Sequence, residues 1–296
     1  MMKNIKILTF VLLLLTLLNC SDDEVVTPIA DFQFLIEGTQ VTFNGKTTDA
    51  DTILWEFGDG ATSNEEDPVY AYARAGEYTV KMTASGYGGT FTETKTVIIL
   101  PSIEILLTGG QARPDGKSWK LKKAYTSGIE GAGFVEDDLG IFLPSQENLL
   151  DLVGLGASYD DTFTFVFNGQ YKVDNKNGQS MMGLVYAMVE RQADIREVSY
   201  DPQNVPLANV VYTPKTDATW QIMEGDFTVA SALGPVNFTD KTQLILDEYF
   251  GFKEKKVLVI IKEITETSMN VALGIATEPA AYEYPTLLFH LSFEAQ

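Results

Sequence analysis

Hydrophobic residues recur at every second position along most of this chain, the period of strands that bury one face. Ala30, Phe32, Phe34 and Ile36 alternate with Asp31, Gln33 and Glu37, and Tyr78, Val80, Met82 and Ala84 alternate with Glu77, Thr79, Lys81, Thr83 and Ser85. Between these runs, Trp55-Glu56-Phe57 leads into Gly58-Asp59-Gly60, a turn that needs residues tolerant of positive φ. A last strand at 97–100 is closed by Pro101, and the same period then resumes. Trp119 and Leu121 share a face opposite Ser118, Lys120 and Lys122. Phe163, Phe165 and Phe167 alternate with Thr162, Thr164 and Val166, and Asn168-Gly169 predicts a hairpin turn into Tyr171-Lys172-Val173. Residues 257–261, then Met269, Val271, Leu273 and Ile275, then Leu287, Phe289, Leu291 and Phe293 complete an antiparallel meander. The expectation is an all-β chain with two domains, 28–100 and 101–296.

Two regions break the period. Residues 176–215 hold a helical spacing of Met182, Val185, Tyr186 and Val189, predicting a helix over 181–193, followed by a polar stretch with Pro202, Pro206 and Pro214. A loop this long in a compact domain is usually functional or disordered. If the second domain has an open mouth, this segment is its lid. Tyr186, Tyr200 and Tyr212 are then available to a ligand, and Tyr282-Glu283-Tyr284-Pro285 forms a second rim. Sugars stack their CH faces on such rings, so Tyr186, Tyr200, Tyr212, Tyr282 and Tyr284 are the candidate ligand-binding residues; an ordinary surface loop would look the same.

The other break is the start. Lys3 and Lys6 precede an apolar run at 7–18, the layout of a secretory signal over 1–19 and too short for the roughly 20 residues of a membrane span. Leu17-Leu18-Asn19-Cys20 resembles the lipobox of bacterial lipoproteins, with Asn19 where a smaller residue is commoner. The resemblance implies that Cys20, the only cysteine, is acylated by fatty chains such as palmitate and anchors the chain to a membrane. The run Ser21-Asp22-Asp23-Glu24 resembles the export signal that sends lipoproteins of glycan-degrading bacteria to the outer face of the outer membrane. Residues 20–27 would then be an acidic tether.

Trp55-Glu56-Phe57-Gly58-Asp59-Gly60, followed by Tyr72-Ala73-Arg74-Ala75-Gly76-Glu77-Tyr78-Thr79-Val80, resembles the PKD domain, with Glu56 in place of its usual Asp. That resemblance implies a seven-stranded immunoglobulin-like sandwich with Trp55 in its core, used as a spacer or interaction module. Asp49, Asp51 and Asp59 fit calcium ligands less well than turn carboxylates that cap backbone N–H groups. The second half is similar to the lipocalin-like domains of cell-surface lipoproteins. The carrying residues are Gly116 and Trp119, then Asp160-Asp161-Thr162-Phe163-Thr164-Phe165 with Asn168-Gly169 and Tyr171, then Ile264-Thr265 and Thr267. This implies an antiparallel β-barrel or jelly roll, the lipocalin-like barrel favoured. Relatives of that kind often carry paired tryptophans soon after the opening, where this chain has Gly131-Ala132-Gly133-Phe134 and no tryptophan. Trp119 and Trp220 read as core residues.

Charge narrows the partners. With 41 acidic and 21 basic residues the formal charge is −20, and loss of Lys3 and Lys6 with the leader makes it two units more negative. Such a surface repels phosphate backbones, so nucleic acid is not an expected partner. Nothing calls for a cofactor or metal: no cysteine is left for a thiolate site, His290 is the lone histidine, and no phosphate-binding loop, dinucleotide fingerprint or nucleophile elbow occurs. Carboxylate pairs such as Asp137-Asp138, Asp160-Asp161 and Asp247-Glu248 arise readily in so acidic a chain and sit in no hydrolase motif. The expectation is a non-enzyme: a surface lipoprotein that binds a glycan and assists an outer-membrane importer complex. Alternatives are a structural or adhesive envelope protein that binds another protein, and a carbohydrate-active hydrolase.

Overall fold

A computed structural model of the chain describes residues 25–296. The expected leader, Cys20 and the acidic run after it lie outside the described residues. The chain divides between Pro101 and Ser102 into two compact units, and each has its own core.

The N-terminal unit is a sandwich of seven antiparallel strands. One sheet has the order β1 (Ile29–Glu37), β2 (Gln40–Thr48), β5 (Val69–Ala71). The other runs β4 (Thr62–Ser63), β3 (Thr52–Glu56), β6 (Gly76–Gly86), β7 (Gly89–Ile99). The alternating residues meet between the sheets: Trp55 is fully buried, packs edge-on against Phe32 with centroids 5.0 Å apart, and donates its indole N–H to Glu65 O at 2.9 Å. The turn after β3 explains its own glycines. Gly58 has φ 88°, and a Cβ there would lie 2.8 Å from Thr79 O. Asp59 accepts from the Ala61 N–H and from the Tyr70 hydroxyl, and Tyr72 stacks on Tyr78 with centroids 4.0 Å apart. Asp59 therefore caps its turn, and no cluster of three or more metal-ligating side chains occurs among the described residues.

The C-terminal unit opens with a short helix α1 (Ile103–Thr108), capped by Ser102 and ended by Gly109 in the left-handed region. Its main sheet has the order β12 (Tyr171–Asp174), β11 (Thr162–Phe165), β8 (Lys117–Leu121), β20 (Leu287–Ala295), β19 (Ser268–Ile275), β18 (Val259–Ile264), β17 (Gly234–Leu246), β16 (Trp220–Ser231). The last five strands are a meander in chain order, and the final strand returns beside β8, so the sheet curls. Its two ends touch at one place: the Tyr171 N–H donates to Ala218 O at 2.8 Å and the Trp220 N–H to Gly169 O at 3.0 Å. These strands form no continuous ladder there, so among the described residues the sheet is curled rather than closed.

The curl has a filled interior. The connection between β17 and β18 folds inward, burying Tyr249 and Phe250; Phe250 stacks on Phe293 at 4.0 Å and meets Phe163 edge-on at 5.1 Å. Residues 176–215 are no loose lid. They form a second sheet, β13 (Gln179–Gly183), β15 (Leu207–Val211), β14 (Ile195–Val198), with helix α3 (Leu184–Glu190), while α2 (Leu149–Leu152) lies earlier in the chain. The expected helix over 181–193 starts late because Met181 and Met182 are both buried, on opposite faces of β13: one in the main core, the other in a satellite cluster. Consecutive buried residues suit a strand covered on both sides better than a helical stripe.

Candidate functional site

The C-terminal unit holds a cleft of about 300 Å³. Its floor comes from Leu149 and Val153 around α2 and from Phe289 on β20, and its walls from Leu143 and Pro144 on one side and Val205 on the other. Ser145, Gln146, Asp201 and Asn204 add a hydroxyl, two amides and a carboxylate. Asp201 is oriented by Asn204, whose amide donates to it at 2.8 Å. A few polar groups over an apolar floor are the usual make-up of a small-ligand site, and the volume is at the lower end of the range for such sites.

One wall is the hairpin formed by β9 (Gly131–Phe134), which also pairs with β20, and β10 (Leu143–Pro144). The alternation Gly131-Ala132-Gly133-Phe134 has a packing cause. Gly133 faces away from the cleft, where a Cβ would lie 2.0 Å from Gly140 O, and a Cβ on Gly131 would lie 2.3 Å from Leu143 O. Ala132 lines the cleft. Phe134 and Phe142 stack with centroids 4.5 Å apart, and each is 51% exposed.

The five candidate tyrosines do not converge on this cleft. Tyr200 is the nearest: its N–H donates to Val153 O and its ring covers Gly154, between the cleft residues Val153 and Asp201. It is 81% exposed. Tyr212 is half-buried, its hydroxyl donating to both oxygens of Glu248 at 2.8 and 3.1 Å, with Lys253 over its ring at 5.1 Å. Tyr186 on α3 is half-buried as well. Tyr282 donates to Glu190 at 3.3 Å beside Lys255, and Tyr284 lies under Lys256 at 4.6 Å.

Two of the three acidic pairs hold structure. Asp137 accepts the Thr239 N–H at 2.9 Å and Asp138 the Gly140 N–H at 2.9 Å, while Asp247 accepts the Thr219 N–H at 2.7 Å. Glu248 is fully buried yet charged: burial raises its pKa, but the Lys215 N–H, Lys253, the Tyr249 N–H and the Tyr212 hydroxyl outweigh that and hold it below the usual carboxylate value. Burial, then the neighbouring Asp174 and Asp160, push Asp161 up to about 7; burial pushes Glu254 up to about 8. His290 is buried with Nδ1 3.1 Å from the Lys262 ammonium, and desolvation with that charge lowers its pKa to about 4. Its imidazole is neutral, and its Nε2 has no partner.

Sequence reasoning passed over the Phe134–Phe142 pair and the polar groups at 145, 146, 201 and 204. The available signal was Phe142 itself, a bulky aromatic inside the turn-rich stretch between Gly140 and Pro144.

Residues 25–99 match the PKD domain family, and the N-terminal unit is a PKD domain with the sandwich described above. The pre-pro-metalloprotease PrtV of Vibrio cholerae serotype O1 is 34% identical over 79 residues, which cover 25% of this chain and 9% of that protein. The microbial collagenase of Vibrio alginolyticus is 38% identical over 68 residues, 21% of this chain and 8% of the relative. Among solved structures, the PKD1 domain of Vibrio cholerae metalloprotease PrtV aligns over all of its length and 26% of this chain, at 32% identity and a TM-score of 0.24. The chain thus spans less than a tenth of the length of these curated relatives, and the likeness is confined to the PKD domain.

Proposed function

We propose that this chain is a lipoprotein anchored through Cys20 to the outer face of an outer membrane, and that it binds a glycan for an importer complex without altering it. The observation that carries the reading is the cleft at 131–146 and 201–205, where hydroxyl, amide and carboxylate groups stand over an apolar floor beside the exposed Tyr200. Such a site can hold sugar hydroxyls by hydrogen bonds and a ring face by stacking. The engagement of Asp137, Asp138, Asp247 and Glu248 with backbone N–H groups supports a binder over a hydrolase. The curled meander, with its last strand beside its first, fits the lipocalin-like assignment, and the PKD domain serves as a spacer from the membrane.

A glycan array probed with the chain lacking residues 1–20 tests the reading: retention of at least one polysaccharide, weakened by Tyr200→Ala, is expected, and silence across the array refutes it. In cells, Cys20→Ser should move the protein from the membrane fraction to the soluble one. A second reading has its own observation. Beyond Trp220, whose N–H goes to Gly169 O, strand β16 is paired in a ladder with β17 alone, leaving an edge over 221–231 that could add a strand from a protein partner. That adhesive role predicts a specific membrane partner whose capture survives Tyr200→Ala.

A further inference from the structure

We infer that the stacked pair Phe134–Phe142 is the apolar recognition wall of the cleft, and that the ligand it selects is an uncharged polysaccharide. The inference rests on the glycan reading above and goes on to specify the ligand's class.

Register places the rings. Ala132 is opposite Phe289 and Phe134 is opposite Leu287 in the antiparallel pairing of β9 with β20. Directly opposed residues project from one face of a sheet, as do residues two apart in a strand. Ala132 and Phe289 line the cleft, so Phe134 stands on the cleft's side of the sheet, one pair further along. Phe142 is held beside it: its N–H donates to Ala132 O at 3.0 Å, and its ring stacks on Phe134 with centroids 4.5 Å apart. The aromatic pair therefore stands on the cleft's side of the sheet, one residue pair beyond the lining residues Ala132 and Phe289.

The hairpin that carries the pair is fixed. Gly140 is pinned against Gly133, its N–H accepted by Asp138, while Asp137 accepts the Thr239 N–H and lies 3.5 Å from Lys241. Two phenylalanines held half in water on a braced hairpin have no core to fill. They offer a flat apolar platform at little ordering cost on binding, which suits a rigid pyranose ring.

Charge supplies the selectivity. No lysine or arginine lines the main cleft, whereas Asp201 does, and the hairpin loop carries Glu136, Asp137 and Asp138. Three cations nearby are engaged: Lys123 with Asp151 at 3.0 Å, Lys241 with Asp137, and Lys262 with His290 and Ile129 O. A uronate or sulfate entering the cleft would meet acidic groups with nothing to pair with, at the cost of desolvating its own charge. A neutral sugar meets donors, acceptors and ring faces.

Affinity electrophoresis of the chain lacking residues 1–20 tests this, with mixed-linkage β-glucan, xyloglucan and galactomannan as neutral probes and polygalacturonate and alginate as acidic ones. The expected result is retardation by a neutral probe and by neither acidic one. Phe134→Ala and Phe142→Ala should each weaken it about tenfold, as loss of a central aromatic contact does, and Phe134→Tyr should restore it. Both rings are half exposed, and an unchanged thermal melt checks that the variants fold. Retention by an acidic probe, or neutral binding that the double alanine variant leaves unchanged, overturns the inference while the glycan reading stands. Retention by none of the five, with a silent array, overturns both.

Discussion

Glu248 is the most deeply buried carboxylate of the C-terminal unit among the described residues, and replacing it with alanine should cost about 3–5 kcal/mol. The carboxylate is fully buried and accepts from the Tyr212 hydroxyl, the Lys215 N–H at 3.0 Å, the Tyr249 N–H at 2.9 Å and Lys253 Nζ at 3.1 Å. Alanine leaves an ammonium only 18% exposed without its counter-charge, together with a buried amide N–H that no other group is placed to accept. Water can reach the Tyr212 and Lys215 donors, which are partly exposed, so those two add little. Glu248→Gln keeps one acceptor but turns an amide NH₂ toward the remaining donors, and should cost about half as much. The measurement is urea unfolding followed by hydrogen exchange of peptides from 207–261, which separates this unit from the PKD domain. Because the folded pKa is depressed, the stabilisation is present in full above the ordinary carboxylate value and is lost as pH falls through the folded one, so pH 7 is the place to measure it. A loss below about 1 kcal/mol for Glu248→Ala would refute the reasoning, since that is the range of a solvent-exposed pair.

Two further outcomes follow from buried groups. His290, lowered to about 4 from 6.5 by burial and Lys262, contributes stability above pH 6.5 that is lost as pH falls toward 4, since the unfolded chain takes the proton first; the full swing is about 3 kcal/mol. Glu254 and Asp161, raised to about 8 and about 7, titrate with the opposite sign across the same window. The test is therefore the difference between wild type and His290→Gln from pH 7 to 4; a flat difference rules the assignment out. Gly133→Ala puts a methyl 2.0 Å from Gly140 O and 2.7 Å from His290 Nε2, and should cost about 1–3 kcal/mol as overpacking does. Gly128→Ala, with open space around its Cβ position but φ 81°, controls for backbone strain, and equal losses at the two sites would dismiss the close-contact explanation.

How much could be read in advance depends on how local the cause is. The PKD domain was legible because its signature residues are fixed by their neighbours: Gly58 by its φ and its approach to Thr79, Asp59 by its own turn, Tyr72 by Tyr78 six residues on. The strands of the C-terminal unit were legible for the same reason, since a period of two needs only one buried face. Its filling was not. Tyr249 and Phe250 enter the core from a connection without periodicity, and what holds them there comes from far along the chain: the Tyr171 hydroxyl on Tyr249 O, Ser180 at the Tyr249 hydroxyl, Phe293 under Phe250, and Lys215 and Tyr212 on the neighbouring Glu248.

The candidate site shows the same division. Choosing tyrosines near acidic residues gathers side chains by composition, and composition does not distinguish Tyr212, its hydroxyl given to Glu248, from Tyr200, its ring free over Gly154. Gly131-Ala132-Gly133-Phe134 invites a reading as a sugar platform that has lost its tryptophans. Yet the glycines are there because Gly140 O and Leu143 O press against that face, and this contact brings Phe142 back beside Phe134. An aromatic platform assembled from residues eight apart across a hairpin of 131–144 has no linear motif. What determines it is which face of β9 the glycines leave for the crossing strand, and strand register, unlike strand period, is set by contacts that the local sequence does not contain.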